Sequence, residues 1–172
     1  HELRLNGWAS FSPGTSPHVS VLESGVLRGE RSSDGGLVAL SHWFDEPRER
    51  LSIEFSFAVS GGAGRVFHIW TQEPDGKDAS QFNLCVQGGR LQQFDGRTRS
   101  WENVGGQIAV SDDPAKPVWH RLRAIVDARS AGIDIWLSEP GSHRLPVRPT
   151  ATVAAYRTEL SLGGLSFVSG TR

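Results

Sequence analysis

The sequence contains no methionine, one cysteine, one tyrosine and only two lysines, Lys77 and Lys116. With Cys85 as its single cysteine, the chain has no intramolecular disulfide to hold it together. No apolar run approaches the ~18 residues that a membrane-spanning helix needs. The net charge of −1 argues against a nucleic-acid-binding protein, because such proteins bind phosphates through a positive excess.

The sequence also lacks an initiator methionine and a recognisable signal peptide. We therefore expect an excised piece of a longer bacterial protein that is secreted or periplasmic and carries other domains. A length of 172 residues suits one domain, so residues 1–172 are predicted to form a single β-sandwich.

Glycine and proline are plentiful, with 20 and 9 residues, as is typical of many short strands joined by tight turns. Apolar residues alternate with polar ones in Leu51–Val59, the period of a half-buried strand. Gly88 and Gly89 separate two alternating segments and predict a hairpin. Arg97–Trp101 is predicted as a short strand, and Thr152–Thr158 is the one stretch where the pattern allows a helical turn. An antiparallel β-sandwich is the predicted architecture.

The most strongly patterned stretch runs from Pro117 to Gly141 and predicts two strands joined by a turn. Successive side chains of a strand point to opposite faces, so each strand buries one set and exposes the other. The apolar set is Leu122, Ala124, Val126, Ile133, Ile135 and Leu137. The opposite set includes Arg121, Arg123, Asp134 and Trp136, a mixture of charged and aromatic side chains that suits a polar, ring-shaped ligand.

A second group of outward-facing residues precedes this hairpin, and we expect both groups to share one sheet face. Sugars bind by stacking their C–H faces on aromatic rings while amides, arginines and carboxylates bind the hydroxyls. The alternative interpretation is that the tryptophans pack under a loop or against another domain. The predicted ligand-binding residues are His68, Trp70, Gln72, Asn83, Gln87, Arg121, Arg123, Asp134 and Trp136.

Two acidic segments, Asp75–Asp78 and Asp112–Asp113, have the oxygen ligands that calcium prefers. Two acids in each segment are few for a calcium site, and Asp and Gly are common in surface turns. We therefore predict turns there, with no metal ion or other cofactor, and keep structural calcium as the alternative.

Three parts of the chain together resemble the concanavalin A-like superfamily, in its laminin G-like or polysaccharide-lyase-like branches. They are Phe55–Thr71 with its Gly-rich turn, Gln81–Gln93 with Gly88 and Gly89, and Trp119–Leu137. The resemblance implies a jelly roll of two curved sheets, the concave one holding a carbohydrate groove.

The enzymes of this superfamily imply specific residues, and the chain departs from both patterns. The glucanase pattern Glu-x-Asp-x-x-Glu has Gly132 at its leading position, so the paired acids of a hydrolase are missing. The lyase pattern Gln-Ile-His aligns with His68-Ile69-Trp70, in which His68 replaces the glutamine and Trp70 replaces the histidine. A lyase would then use His68 or Tyr156 as the base, with Arg121 or Arg123 holding a uronate carboxylate.

Three hypotheses follow from the sequence. The first is a non-catalytic carbohydrate-binding or laminin G-like module whose partner is a polysaccharide or oligosaccharide. The second is a small polysaccharide lyase acting on an acidic glycan by β-elimination. The third is a domain that packs against other proteins or other domains of its own chain.

Overall fold

The structure is a computed structural model that describes residues 4–5, 8–11, 18–21, 27–30, 38–60, 67–72, 83–95, 98, 100–127, 129–130, 132–154 and 162–169. These residues form strands and turns, and none of them belongs to a helix that could cross a membrane. The strands are β1 (Arg4–Leu5), β2 (Trp8–Phe11), β3 (His18–Val21), β4 (Leu27–Glu30), β5 (Val38–Arg48), β6 (Arg50–Phe57), β7 (Val59–Ser60), β8 (Phe67–Gln72), β9 (Leu84–Gln87), β10 (Arg90–Asp95), β11 (Ser100–Gln107), β12 (Val110–Ser111), β13 (His120–Asp127), β14 (Gly132–Leu137), β15 (Ala151–Ala154) and β16 (Leu162–Ser169).

Two antiparallel sheets make up most of the described chain. The larger has eight strands in the order β1-β2-β5-β16-β8-β9-β10-β11, and the smaller has four in the order β15-β14-β13-β6. Two short pairs accompany them, the antiparallel β3–β4 and the parallel β12–β7. The predicted all-β, largely antiparallel architecture is therefore confirmed.

One hydrophobic core joins the two sheets. Buried side chains of β13 and β14 lie in the same cluster as those of β9, β10 and β16. The rings of Phe55, on the smaller sheet, and Phe167, on the larger, meet edge to face with centroids 5.1 Å apart. The Gln93 amide spans the layers by donating to the Ala154 carbonyl oxygen at 3.1 Å. The sheets thus lie face to face, and each has an outer face turned away from the core.

The hairpin of β13 and β14 has the faces that alternation predicts. Leu122, Ala124 and Val126 pair with Leu137, Ile135 and Ile133, and all six are buried. The turn of β9 and β10 also forms where predicted, with positive φ angles of 57° and 70° at Gly88 and Gly89. Glycine adopts this backbone region readily because it has no Cβ.

At two places the described residues differ from what the sequence led us to expect. Residues 151–154 form β15, an edge strand held to β14, so the start of the allowed helical turn is extended instead. Residues 155–158 lie outside the described part of the chain. In addition, the strand predicted for Arg97–Trp101 is described at Ser100 and Trp101, where β11 begins, whereas positions 97 and 99 lie outside the described residues. β11 continues through Gly105 and Gly106, whose φ angles of 90° and 80° the alternation pattern does not signal.

Candidate functional site

The structure assigns the first group of predicted binding residues to the larger sheet. His68, Trp70 and Gln72 lie in β8, where Trp70 pairs with Ser166 and the neighbouring Ile69 pairs with Leu84. Asn83 directly precedes β9, and Gln87 is the last residue of that strand. Tyr156, the alternative base, lies outside the described residues.

The second group lies on the smaller sheet. Arg121 and Arg123 of β13 and Asp134 and Trp136 of β14 alternate with buried core residues, so they point away from the core. The expectation that both groups share one sheet face is therefore wrong, because β8 belongs to the other layer. The combination of His68 with Arg121 or Arg123 around one uronate fails for the same reason, since the four-stranded sheet and the core separate them.

On the outer face of the smaller sheet, polar side chains bind one another. Arg121 forms an ion pair with Glu54 of β6, in which its Nε donates at 2.7 Å. Thr152 donates to Asp134 at 2.7 Å.

Trp136, an aromatic residue of this face, is also engaged. Arg123 lies opposite Trp136, with its guanidinium carbon 5.4 Å from the centre of the indole ring. This contact is a cation–π interaction. The Arg123 Nε is buried and has no hydrogen-bond partner among the described residues. Arg121, Arg123, Asp134 and Trp136 are thus all held by neighbours in their own chain.

The outer face of the larger sheet carries a pair of aromatic rings where β10 and β11 meet. Phe94 and Trp101 are directly opposite in the strand register, with ring centroids 5.3 Å apart and planes at 63°. Both side chains are half-buried, and neither belongs to the hydrophobic core cluster. Phe94 alternates with the buried Gln93, which faces the smaller sheet, so the aromatic pair faces outward.

Amide side chains lie beside this aromatic pair. Gln92 and Asn103 are opposite each other, and the Gln92 Nε2 donates to the Asn103 Oδ1 at 3.1 Å in an exposed position. Asn83 precedes β9, and its backbone oxygen accepts a hydrogen bond from the Phe94 N–H. Its own Oδ1 is buried and has no hydrogen-bond partner in the described part of the chain.

Cys85 lies on the same outer face as these amides, across from Gln92. It is 1% exposed and outside the core cluster, although its neighbours Leu84 and Val86 belong to that cluster. The thiol is 3.9 Å from the Gln92 Oε1, a weak hydrogen bond. Burial raises the pKa of the Cys85 thiol to about 12. The thiol is therefore shielded from water, although the Gln92–Asn103 pair beside it is exposed.

A third aromatic ring lies on this face, farther across the sheet. Trp43 of β5 is 45% exposed and pairs with Gly164, while its neighbours His42 and Phe44 turn towards the core side. Five strand-to-strand steps separate β5 from β11. At about 4.8 Å per step, Trp43 and Trp101 are roughly 24 Å apart across the strands.

The strand register aligns these residues across the sheet. Trp70 and Ser41 both pair with Ser166, and Ser41 is two residues from Trp43. On the other side of β8, Ile69 pairs with Leu84 of β9. The register continues from β9 through β10 to β11, where Phe94 and Trp101 lie opposite each other. We call the outward residues on this line the amide–aromatic band: Trp43, Asn83, Cys85, Gln92, Phe94, Trp101 and Asn103.

His120 is the one fully buried histidine among the described side chains, and it lies away from both outer faces. Its ring stacks on Phe57 with centroids 5.6 Å apart. Its Nε2 accepts a hydrogen bond from the Ala109 N–H at 3.0 Å, which requires that this nitrogen carry no proton. Burial lowers the pKa of His120 below its ordinary value. The residue is a neutral, structural histidine.

The two acidic segments differ in what the structure describes. Asp75–Asp78 lies outside the described residues. Asp113 closes a turn, because its Oδ1 accepts from the Ala115 N–H at 2.9 Å and its backbone oxygen accepts from the Ser111 hydroxyl. The predicted turn is confirmed there. No group of three metal-ligating side chains occurs among the described residues.

No protein-family model and no curated protein matches this chain. The geometry adds candidates that alternation alone did not single out, namely Trp43, Gln92, Phe94, Trp101 and Asn103. Gln92 and Phe94 occupy alternate positions of the predicted β9–β10 hairpin next to Asn83, which is the signal that could have identified them.

Proposed function

We propose that this chain is a non-catalytic carbohydrate-binding module that holds a glycan on the amide–aromatic band. The observation that carries the proposal is the Phe94–Trp101 pair beside the exposed Gln92–Asn103 pair. Aromatic rings stack on the apolar faces of sugars, and amides both donate to and accept from hydroxyl groups. These two chemistries lie side by side on one face, as sugar recognition requires.

The glycan would lie across the strands from Trp101 towards Trp43. His68, Trp70 and Gln72 belong to β8, which lies between these two residues, so they stay in the proposed site together with Asn83 and Gln87. We leave Arg121, Arg123, Asp134 and Trp136 out, because they belong to the opposite outer face and already bind Glu54, Thr152 and each other.

The finer fold assignment belongs to the same proposal. We infer a concanavalin A-like jelly roll of laminin G-like type, in which the larger sheet supplies the concave face. Such a module would accompany other domains of a longer bacterial protein outside the cell or in the periplasm. An order of eight and four strands around one core supports this assignment.

A glycan array followed by titration of its positive members tests the proposal. We expect Trp101→Ala to weaken binding at least about tenfold, a loss of roughly 1.4 kcal/mol, because a stacking platform is removed. Trp136→Ala is the matched control on the opposite face and should leave affinity unchanged. Failure of the whole array, or a loss in Trp136→Ala but not in Trp101→Ala, would show the proposal to be wrong.

A further inference from the structure

The described side chains of the amide–aromatic band carry no formal charge. The band consists of three aromatic rings, three amides and one thiol. Among the described side chains, the nearest charged residues on the same face lie at its margins. Asp45 is two residues beyond Trp43 along β5, and Arg90 is two residues before Gln92 at the turn end of β10. A ligand centred on the band would therefore meet mainly dipoles and rings, with one carboxylate and one guanidinium at the margins.

One amide of the band also presents an acceptor that is weakly engaged. Among the described residues, the Gln92 Oε1 receives the weak thiol contact of Cys85 at 3.9 Å. Acceptors of this kind match a sugar hydroxyl, which can donate a proton to them. A carboxylate or sulfate only accepts hydrogen bonds, so it could pair with the amide N–H groups of the band but not with this oxygen.

Binding a charged sugar at the band would also require its charged group to lose water. Moving an ionised carboxylate out of water is unfavourable unless a positive group compensates. Arg121 and Arg123 point outward from the other sheet, and the described cation nearest the band on its own face is Arg90, at the margin opposite Gln87.

From these observations we propose that the glycan recognised by the amide–aromatic band is a neutral polysaccharide, not a uronate-containing or sulfated one. This inference rests on the proposed function, because it concerns the ligand class of the same site. The lyase hypothesis, in contrast, requires an acidic glycan that contains uronate.

The test uses pairs of oligosaccharides that share a linkage and differ only in oxidation at C6. Suitable pairs are β-1,4-linked glucan with glucuronan and β-1,4-linked mannan with mannuronan hexasaccharides, alongside the neutral glycans that the array identifies. Affinities are measured by calorimetry at low and at physiological salt with the unmodified chain, Trp101→Ala and Trp136→Ala. We expect each neutral member that binds to do so at least about tenfold more tightly than its uronate partner.

The possible outcomes separate the two proposals. Equal or tighter binding of the uronates that is lost in Trp101→Ala overturns the neutral-ligand inference and leaves the proposed function standing. Binding that does not depend on Trp101, or no binding of any glycan, overturns the proposed function and this inference with it.

A second variant, Gln92→Lys, adds a cation to the band and should reduce the ratio of the affinities for the neutral and the uronate oligosaccharide. An unchanged preference in that variant would contradict the charge argument.

Discussion

Arg123 and Trp136 lie directly opposite each other on β13 and β14, with the guanidinium 5.4 Å from the centre of the indole ring. The sequence makes both residues attractive as ligand contacts. In the folded chain the two side chains contact each other instead. A ligand stacking on Trp136 would have to displace the guanidinium, which is why the opposite outer face is the better candidate.

The first prediction concerns this pair. In a double-mutant cycle with Arg123→Met and Trp136→Leu, we expect a coupling energy of about 1 kcal/mol, as is usual for partly exposed cation–π pairs. Methionine retains much of the packing of the arginine stem, so the cycle reports the charged contact. Chemical denaturation gives the four stabilities. Additive effects of the two substitutions would show that the contact contributes nothing to folding.

The second prediction concerns Trp43 as a distant contact for the glycan. Trp43→Ala removes a side chain that is 45% exposed, so stability should fall by about 1–2 kcal/mol and the chain should remain folded. Affinity of the unmodified chain should rise with oligosaccharide length until the ligand reaches from Trp101 to Trp43. In Trp43→Ala, a hexasaccharide should bind no more tightly than a trisaccharide. Calorimetry with a length series measures this, and an unaltered length dependence would remove Trp43 from the site.

The third prediction concerns the pH dependence of stability through His120. Because burial lowers its pKa in the folded state, the unfolded chain binds the proton more readily below the ordinary value of about 6.5. The stability due to neutral His120 is complete above this pH and is lost as the pH falls towards the lowered pKa.

His120→Gln keeps an acceptor for the Ala109 N–H but does not titrate in this range. We expect its free energy of unfolding to fall less steeply between pH 7 and pH 5 than that of the unmodified chain. Urea denaturation at several pH values measures both slopes. Parallel curves for the two proteins would mean that His120 is not held neutral by the fold.

The fourth prediction concerns the reactivity of Cys85. With a pKa of about 12, only about one thiol in ten thousand is ionised at pH 8, and the thiolate is the reactive form. A thiol reagent such as Ellman's reagent should leave the native protein unmodified on a timescale on which the denatured protein reacts completely. Stoichiometric labelling of the native protein at the rate of free cysteine would show that the face over Cys85 is open.

The fifth prediction concerns Gly106, which has a φ angle of 80° and lies against Leu137. A Cβ at this position would collide with the Leu137 Cδ2 as well as strain the backbone. Gly141 is the matched control, because its φ angle is 73° but nothing lies within 4 Å of an added Cβ. We expect Gly141→Ala to cost about 1 kcal/mol and Gly106→Ala about 1–3 kcal/mol more, measured by thermal and urea denaturation. Equal costs would mean that Leu137 moves aside freely.

Sequence reasoning was most successful where the information is local. The alternation of Leu122, Ala124 and Val126 with Arg121 and Arg123 correctly predicted both faces of β13, because side-chain direction in a strand repeats every two residues. It failed at β11, where the strand predicted to end at Trp101 continues through Gly105 and Gly106.

The sequence by itself determined which side chains of each strand turn inward and which turn outward. Only the tertiary structure decided which layer each strand joins. A sandwich has two outer faces pointing in opposite directions, and a pattern with period two is the same for both. Trp70 and Trp136 are therefore indistinguishable by alternation, yet pairing with Ser166 places one in the eight-stranded sheet and pairing with Arg123 places the other in the four-stranded sheet. Those pairings depend on contacts between residues far apart in the chain, because hydrogen bonds between distant strands leave no local periodic signal.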